Sequence, residues 1–443
     1  MKLNFPQPLF FCISLILIPV LNITGHDIYQ DSINYYLGLH PSTNNINRIL
    51  QFYDRESSTS NEDKFKLLFH SIQISNSINY NKGAGDSYFK KGILHIRMEE
   101  YDSVVKSANI AIQKYKRGNH KQGQANCYNL IGSVYRRQGK LSTALDYHLK
   151  SKKIFESIND SIGLAKTLNF MGIVSKNKTA YDSAIIYFLK AIKISEQIQQ
   201  RKLLLDGLIN SGQVYFENGD YDKARQYYEK SLIIAEENNS KNNIALLFNK
   251  LGMVEYRVNK LDSAYYYFNQ SLLNYEEINS LSGQAWAIMN IGSVYEYKAN
   301  YLKALGKYDL SKSYFKQIGF KSGLLKANIN IAVIFKKLKR YKLAIQQYDT
   351  CLSIAREINA NDELLKVYDN IHLTYEEMGD YKTGMKYLDK YVQLKDSIFN
   401  LEKASIIADM ELKYEKEKDE ARILTLSNEN LQSKYQLERK QRV

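Results

Sequence analysis

The sequence contains very little proline. Only four prolines occur in 443 residues, the last at position 41, and the following stretch of about 400 residues has none. Because a proline in a helix interior costs roughly 3 kcal/mol, this absence predicts a chain that is helical almost throughout. Cysteine is also rare. Apart from Cys12 in an N-terminal apolar run, only Cys127 and Cys351 remain, and we expect both to be small packing residues.

Residue clusters typical of catalysis are also lacking. The seven histidines show no metal-ligand spacing, and the GAG at 83–85 has no preceding strand that would make it a nucleotide-binding loop. We therefore expect a protein that is not an enzyme and that binds no metal and no cofactor. The formal net charge of +14 is spread over many lysines. It favours solubility and acidic partners or an anionic membrane surface, and we expect no binding to nucleic acid.

The first 25 residues have the layout of a secretory signal peptide. Lys2 precedes an apolar run at 9–21, and the short polar segment NITG follows it. A run of this length is too short to span a membrane comfortably. The sequence therefore predicts export to the periplasm or the medium, with cleavage after Gly25. The alternative is an uncleaved N-terminal membrane anchor.

What the sequence does contain is a repeat of forty residues. A mostly glycine column is followed by tyrosine or leucine nine residues later, a small residue twelve later and mostly an aromatic residue sixteen later. This spacing predicts pairs of helices that bury their apolar faces only by stacking. His148 takes the aromatic position of its unit and is expected in the core. Cys127 and Cys351 lie more than five units apart, too far for a disulfide. The first column is Gly92, Gly132, Gly172, Gly212, Gly252, Gly292, Ala332 and His372.

Glycines elsewhere in the unit predict where its helices end. Gly139, Gly219 and Gly379 follow the column by seven residues and are expected to end the first helix in the left-handed conformation. A column glycine costs about 1 kcal/mol relative to alanine, and we attribute it to the close approach of a neighbouring backbone. A third set is expected in the loops between units, namely Gly83, Gly123, Gly163, Gly283 and Gly323.

These columns resemble the tetratricopeptide repeat in a forty-residue form. The resemblance covers residues 45–400, about nine units, with a lead-in at 26–44 and a long helix at 401–443. It implies an all-α fold, a right-handed superhelical α-solenoid of stacked helix-turn-helix repeats. It also implies a groove, lined by the first helices, that binds a peptide or protein. The unit that matches nearly in full contains Gly212, Tyr215, Ala224, Tyr228 and Ser231.

An asparagine recurs two or three residues before the column position in seven successive units. Because an amide both donates and accepts hydrogen bonds, such a ladder can hold the backbone of an extended peptide. The alternative is that these amides bond between neighbouring units. The members are Asn129, Asn169, Asn210, Asn249, Asn290, Asn330 and Asn370.

Basic residues lie farther along the same predicted face. They are Arg136, Arg137, Lys176, Arg257, Lys336 and Lys337. Acidic residues lie between them, mainly toward the C-terminal end, namely Glu217, Glu296, Glu376 and Glu377. This pattern predicts a peptide or protein partner with acidic character near the middle of the groove. The alternative is a solvated charged face.

The residues after 400 read as one long helix without a column glycine. A weak heptad seam runs through it, which leaves two interpretations, a coiled-coil homodimer and a lone solvated helix. The seam residues are Ile407, Met410, Tyr414, Ala421, Leu424, Asn428, Leu431 and Tyr435.

The segment KDSIFNLEK at 395–403 resembles a family of bacterial membrane sensors. In that family, periplasmic tetratricopeptide repeats precede a transmembrane segment and a histidine kinase or helix-turn-helix DNA-binding domain. The resemblance implies that this chain is the sensing or interaction part of a signalling system, without its output domain. The alternative is an intracellular or membrane-anchored adaptor of the same fold that mediates protein–protein assembly.

Overall fold

A computed structural model describes residues 32–55 and 59–441, with only part of the side chains after residue 400. Within these ranges the chain forms eighteen helices, preceded by a short helical segment at 32–37, and no strand. The all-α fold that the proline-free sequence predicts is confirmed. The predicted signal peptide lies outside the described residues.

The helices are uniform in length and form nine hairpins, each with a first and a second helix. Between Asn61 and Glu377 every helix has seventeen residues. The first helices are α1 Thr43–Arg55, α3 Asn81–Arg97, α5 Lys121–Arg137, α7 Ser161–Asn177, α9 Arg201–Glu217, α11 Lys241–Arg257, α13 Leu281–Tyr297, α15 Lys321–Lys337 and α17 Asn361–Glu377. The second helices are α2 Asn61–Ser77, α4 Tyr101–Arg117, α6 Leu141–Ser157, α8 Tyr181–Gln197, α10 Tyr221–Glu237, α12 Leu261–Glu277, α14 Tyr301–Gln317, α16 Tyr341–Glu357 and α18 Tyr381–Gln441.

Turns of three residues separate the helices from α2 onward, and the middle residue of each turn has a positive φ. It recurs every twenty positions, from Asn79 at 54° to Gly379 at 81°. Asparagine and glycine adopt this left-handed conformation at the least cost, and they fill eleven of the sixteen positions. The predicted left-handed helix ends at Gly139 and Gly219 are confirmed, with φ of 76° and 82°, as is the one at Gly379. These turns keep the forty-residue register.

The column glycines make room for aromatic rings, and not for a neighbouring backbone as the sequence suggested. A Cβ on Gly172 would lie 2.5 Å from the ring of Phe188, and one on Gly212 would lie 2.7 Å from the ring of Tyr228. Each ring comes sixteen residues after its glycine and is fully buried. The glycine therefore admits the largest side chain of the core.

The prediction that a third set of glycines lies in loops is wrong, because each is the third residue of a first helix. A Cβ on Gly163 would overlap the ring of Phe155, at the end of the preceding helix. Aromatic rings are the nearest groups at the other members as well, Gly83, Gly123, Gly283 and Gly323. The turn itself needs no glycine at these points.

The helices group into two compact units, Met1–Gly123 and Gln124–Val443. From α6 onward each helix packs against the next along the chain. Successive first helices also touch, as α7 touches α9 and α11 touches α13. This is the stacked α-solenoid that the repeat predicts, in which each hairpin completes its core with its neighbours.

The last helix, α18, runs without interruption through residue 400, so the predicted boundary there is not a break in secondary structure. Its beginning packs on the preceding hairpin through Tyr387, Tyr391 and Leu394. Along the predicted seam the side chains of Ile407, Ala421 and Asn428 are exposed, and the other seam side chains lie outside the description. The homodimer therefore stays a prediction. None of the described helices is long and apolar enough to cross a membrane.

Candidate functional site

The first helices of the second unit share one partly exposed face. On α13 this face carries Trp286, Asn290 and Ser293, which are half-buried and spaced by one helical turn, whereas Ile291 and Gly292 beside them are buried. The position two residues before the column glycine therefore marks the middle of the face. We call this the first-helix face. Its middle positions are Leu130, Phe170, Asn210, Lys250, Asn290, Asn330 and Asn370.

The predicted ladder of seven asparagines divides into two columns. The half-buried members lie in the middle of the first-helix face, and they are Asn210, Asn290, Asn330 and Asn370. The buried members lie one residue earlier, and they are Asn129, Asn169 and Asn249, at 6%, 6% and 8% exposure. One residue along a helix is a rotation of about 100°. A spacing of "two or three" residues therefore merges side chains that point in different directions.

Asn129 is occupied by hydrogen bonds inside the protein. Its Nδ2 donates to Thr167 Oγ1 in the next first helix at 2.8 Å, and its Oδ1 pairs with His148 Nδ1 at 2.9 Å. Burial lowers the pKa of His148 to about 3, and the positive charge of Arg136 adds to this. The ring is therefore neutral near pH 7 and donates its Nδ1 proton to the amide. This is the bond between units that the sequence analysis gave as the alternative.

Asn169, forty residues later, has neither of these partners. The positions that correspond to His148 and Thr167 are Phe188 and Gly207, and neither side chain can form a hydrogen bond. The Oδ1 of Asn169 is buried and accepts no hydrogen bond from any residue that the structure describes. An unsatisfied buried acceptor costs about 1–3 kcal/mol.

This asparagine lines a cavity of about 280 Å³, here called the Asn169 cavity. The cavity reaches the first-helix face, because Phe170 and Asn210 belong to both. Desolvation raises the pKa of Asp206 in its wall, against the opposing charge of Lys202. The structure thus brings together two predicted contacts, Asn169 and Asn210. The other lining residues are Lys166, Phe170, Ile173, Leu203, Asp206, Ile209, Asn243 and Leu246.

A second cavity of about 250 Å³, here called the Asn290 cavity, brings together two further predicted residues, Arg257 and Asn290. The Arg257 guanidinium lies 5.9 Å from the centre of the Phe216 ring. The Nδ2 of Asn290 donates to Asn249 Oδ1 at 3.0 Å. The remaining lining residues are Phe216, Met253, Tyr256, Phe268 and Ser293. Both cavities therefore combine apolar lining residues with asparagine amides.

Lys250 lies between the two cavities, and the sequence analysis missed it. On α11 it follows Leu246 of the Asn169 cavity by four residues and precedes Met253 of the Asn290 cavity by three. Its ammonium donates to Gln213 Oε1 at 2.7 Å. Desolvation lowers the pKa of Lys250, Lys176 lowers it further and Glu217 opposes both. The sequence feature that could have identified Lys250 is a lysine at a repeat position where most other units have asparagine.

Half of the predicted basic residues form salt bridges between successive first helices. Lys176 pairs with Glu217 at 3.1 Å, Lys336 with Glu377 at 3.3 Å and Lys337 with Glu296 at 2.8 Å. Arg136 is half-buried and Arg137 is exposed. Three of the six predicted cations are thus already paired with acids of a neighbouring repeat.

Four of the seven predicted asparagines line neither cavity, namely Asn129, Asn249, Asn330 and Asn370. Asn330 is half-buried, and the Nδ2 of Asn370 donates to Lys366 O of its own helix at 2.8 Å. Cys127 and Cys351 are buried and neither forms a disulfide, and burial raises the pKa of Cys351 to about 12. Over residues 32–55 and 59–441, no cluster of three or more metal-binding side chains occurs.

Sequence comparisons identify the repeat. The tetratricopeptide repeat pattern matches residues 123–197 and 203–277, and a second tetratricopeptide repeat pattern matches 325–358. The chain contains tetratricopeptide repeats over these residues. The Asn169 cavity lies entirely within the first two matched stretches and the segment that joins them. A comparison with curated protein sequences gives no significant match.

Solved structures share the fold of this chain at low sequence identity. A signal transduction ATPase with a tetratricopeptide repeat sensor from Pyrococcus horikoshii has a TM-score of 0.56 and 13% identity, covering 86% of this chain and 55% of that one. The quorum sensor NprR from B. thuringiensis has a TM-score of 0.52 and 14% identity, covering 83% and 99%. The Rap conjugation gene regulator of plasmid pLS20, in complex with the Phr* peptide, has a TM-score of 0.51 and 14% identity, covering 84% and 96%.

Proposed function

We propose that this protein binds an extended peptide, or an extended segment of a protein partner, on the first-helix face of its second unit. The observation that carries the proposal is the unsatisfied, buried Oδ1 of Asn169 in the wall of the Asn169 cavity. A peptide N–H that donates to this oxygen removes a cost of about 1–3 kcal/mol. An apolar side chain of the same peptide fills the space beside Phe170 and Leu203.

The Asn290 cavity offers a second place for an apolar side chain. Its lining includes the amide of Asn290 and the guanidinium of Arg257, which can bond to a peptide backbone or carboxylate. The Rap regulator was solved with the Phr* peptide and NprR is a quorum sensor. These two proteins support a peptide as the class of ligand. Binding on this face needs no catalytic group, so the proposed role is that of a non-enzymatic scaffold.

The proposed setting of this binding is extracytoplasmic sensing in a bacterial signalling system. It is supported by the signal-peptide layout of residues 1–25 and by the resemblance of 395–403 to membrane sensors. In this role α18 connects the repeat array to a partner or to a second copy. The second candidate, an adaptor that keeps its N-terminal segment, is separated by N-terminal sequencing of the expressed protein. A start near His26 supports export, and an intact Met1 supports the adaptor.

The binding proposal is tested by selecting peptides from a random phage-displayed library on the purified protein. The affinity of a recovered peptide is then measured by the fluorescence of the single tryptophan, Trp286, which lies on the first-helix face. We expect Asn169→Leu to weaken binding about tenfold, the value of a hydrogen bond of about 1.4 kcal/mol.

Asn129→Leu is the matched control, because Asn129 occupies the same repeat position but lines neither cavity. It should leave the affinity unchanged while the protein stays folded by circular dichroism. Failure of the wild-type protein to enrich any peptide would show the proposal to be wrong. So would equal losses of affinity in the two variants.

A further inference from the structure

We infer that Lys250 determines the sequence specificity of the first-helix face. It binds the carboxylate of an aspartate or glutamate side chain that stands between two apolar side chains of the ligand, one in each cavity. The inference rests on the proposed function and adds the class of peptide that the face selects.

The Lys250 ammonium has unused hydrogen-bonding capacity. It carries three donors, and the one protein partner that the structure gives it is Gln213 Oε1 at 2.7 Å. Glu217 is the acid whose charge acts on Lys250, and it is already held by Lys176 at 3.1 Å and by Gln213 Nε2 at 2.8 Å. Lys250 forms no salt bridge with any described carboxylate. Donors therefore remain for an acid supplied from outside the chain.

Its charge is also poorly compensated. Desolvation and the like charge of Lys176 both lower the pKa of Lys250, which means that its surroundings disfavour the cation. A ligand carboxylate reverses this imbalance, because a cation in a partly buried site gains most from a paired anion. The salt-bridged lysines of the same face, such as Lys176 and Lys337, already have this compensation. Lys250 thus differs from them in charge balance.

The spacing of the two cavities sets the position of the acid. Leu246 and Met253 line different cavities and lie seven residues apart on α11, which corresponds to about 10 Å along the helix axis. An extended peptide covers this distance in about three residues. Apolar side chains in both cavities therefore leave one or two residues between them, and Lys250 faces this interval.

The test compares peptide selection on the wild-type protein with selection on two variants, Lys250→Asn and Lys250→Glu. From the wild-type protein we expect peptides with aspartate or glutamate between two apolar residues. From Lys250→Glu we expect lysine or arginine at that place, a change of preference that misfolding cannot produce. Lys250→Asn introduces the residue found at Asn210 and Asn290, and it should lower the affinity for a selected acidic peptide about tenfold or more.

Lys193→Glu is the control for the same change of charge, because Lys193 is exposed on the second helix α8 and lines neither cavity. It should retain the acidic preference. Retention of that preference in both Lys250 variants, or a wild-type pool without it, rules out Lys250 as the determinant even though the face binds peptides. A wild-type protein that enriches no peptide at all instead overturns the proposed function. If Lys250→Glu does not fold, Lys250→Asn alone decides.

Discussion

Asn129 and Asn169 stand forty residues apart at the same position of the repeat, and they differ in their hydrogen-bond partners. The oxygen of Asn129 accepts from His148 and its Nδ2 donates to Thr167, whereas the oxygen of Asn169 accepts from no described residue. The difference arises nineteen and thirty-eight residues farther along the chain, where Phe188 and Gly207 replace the two partners. The same residue at the same repeat position is therefore hydrogen-bonded in one repeat and has an unsatisfied oxygen in the next.

The surroundings of the two amides differ as well. At the position of Thr167 the next repeat has Gly207, and Asn169 lines a cavity of about 280 Å³. In the repeat of Asn129, the Thr167 side chain occupies this position, and its hydroxyl donates to Gly163 O at 2.8 Å. One hairpin is thus joined to its neighbour by side-chain hydrogen bonds, and the next keeps polar capacity for a ligand.

The largest effect on stability is expected for His148→Phe, which places at position 148 the phenylalanine that the next repeat has at position 188. The pKa of His148 is about 3 in the folded protein and 6.5 in the unfolded chain. Between these values the unfolded state binds more protons, so the free energy of unfolding falls as the pH falls. When the pH is lowered from about 7.5 to about 4.5, protonation of this residue in the unfolded chain should reduce the free energy of unfolding of the wild-type protein by about 2.5 kcal/mol. His148→Phe should lack that component.

Urea unfolding of both proteins at the two pH values measures the difference. Tyr228→Phe is the control, since it alters the same aromatic column without removing a group that titrates in this range. It should keep the pH dependence of the wild-type protein. An unchanged dependence in His148→Phe would mean that His148 is accessible to protons in the folded state.

A smaller difference in stability is expected between Asn129→Leu and Asn169→Leu. The first substitution removes two hydrogen bonds and leaves the buried Nδ1–H of His148 without an acceptor, which should cost about 2 kcal/mol. The second removes an oxygen that has no donor in the protein, so its cost should stay below about 1 kcal/mol. Urea unfolding near pH 7.5 measures both. Equal losses would contradict the contrast between the two amides.

Most of the fold follows from the sequence because the repeat fixes local backbone geometry. The second helices begin at the tyrosine or leucine column, as at Tyr181 and Leu261, and the left-handed turns fall where glycine was expected. The prediction for the helical glycines is wrong because the groups that require them lie on other helices. Gly163 is followed by ordinary helix residues, and the ring that requires it belongs to Phe155 on the other side of a turn.

The candidate site was predicted in part. The ladder asparagines occupy two repeat positions that differ by one residue. The side chain is buried at the earlier position, as in Asn169, and half-buried at the later one, as in Asn210. The cavities themselves could not be read from single columns, because each is lined by several helices. The missing hydrogen-bond partners of Asn169 could be read from the sequence only in part. Phe188 and Gly207 show in the sequence that Asn169 lacks the two partners of Asn129. Asn249 lacks them too but accepts from Asn290, so only the structure shows that the oxygen of Asn169 has no donor.

The smallest effect, and the most direct link between structure and binding, is expected for Phe188→His. By analogy with His148, its Nδ1–H should donate to the free oxygen of Asn169 and compete with the peptide. A loss of about 1 kcal/mol corresponds to a roughly fivefold weaker affinity. The fluorescence of Trp286 measures it with a peptide selected on the wild-type protein.

A double-mutant cycle with Asn169→Leu isolates the mechanism of this effect. If the new histidine acts by occupying the Asn169 oxygen, Phe188→His should have no further effect on affinity once that oxygen has been removed. Additive losses would show that the histidine disturbs the cavity by its shape. In that case the unsatisfied oxygen would not be the group that makes the repeat of Asn169 bind peptide when the repeat of Asn129 does not.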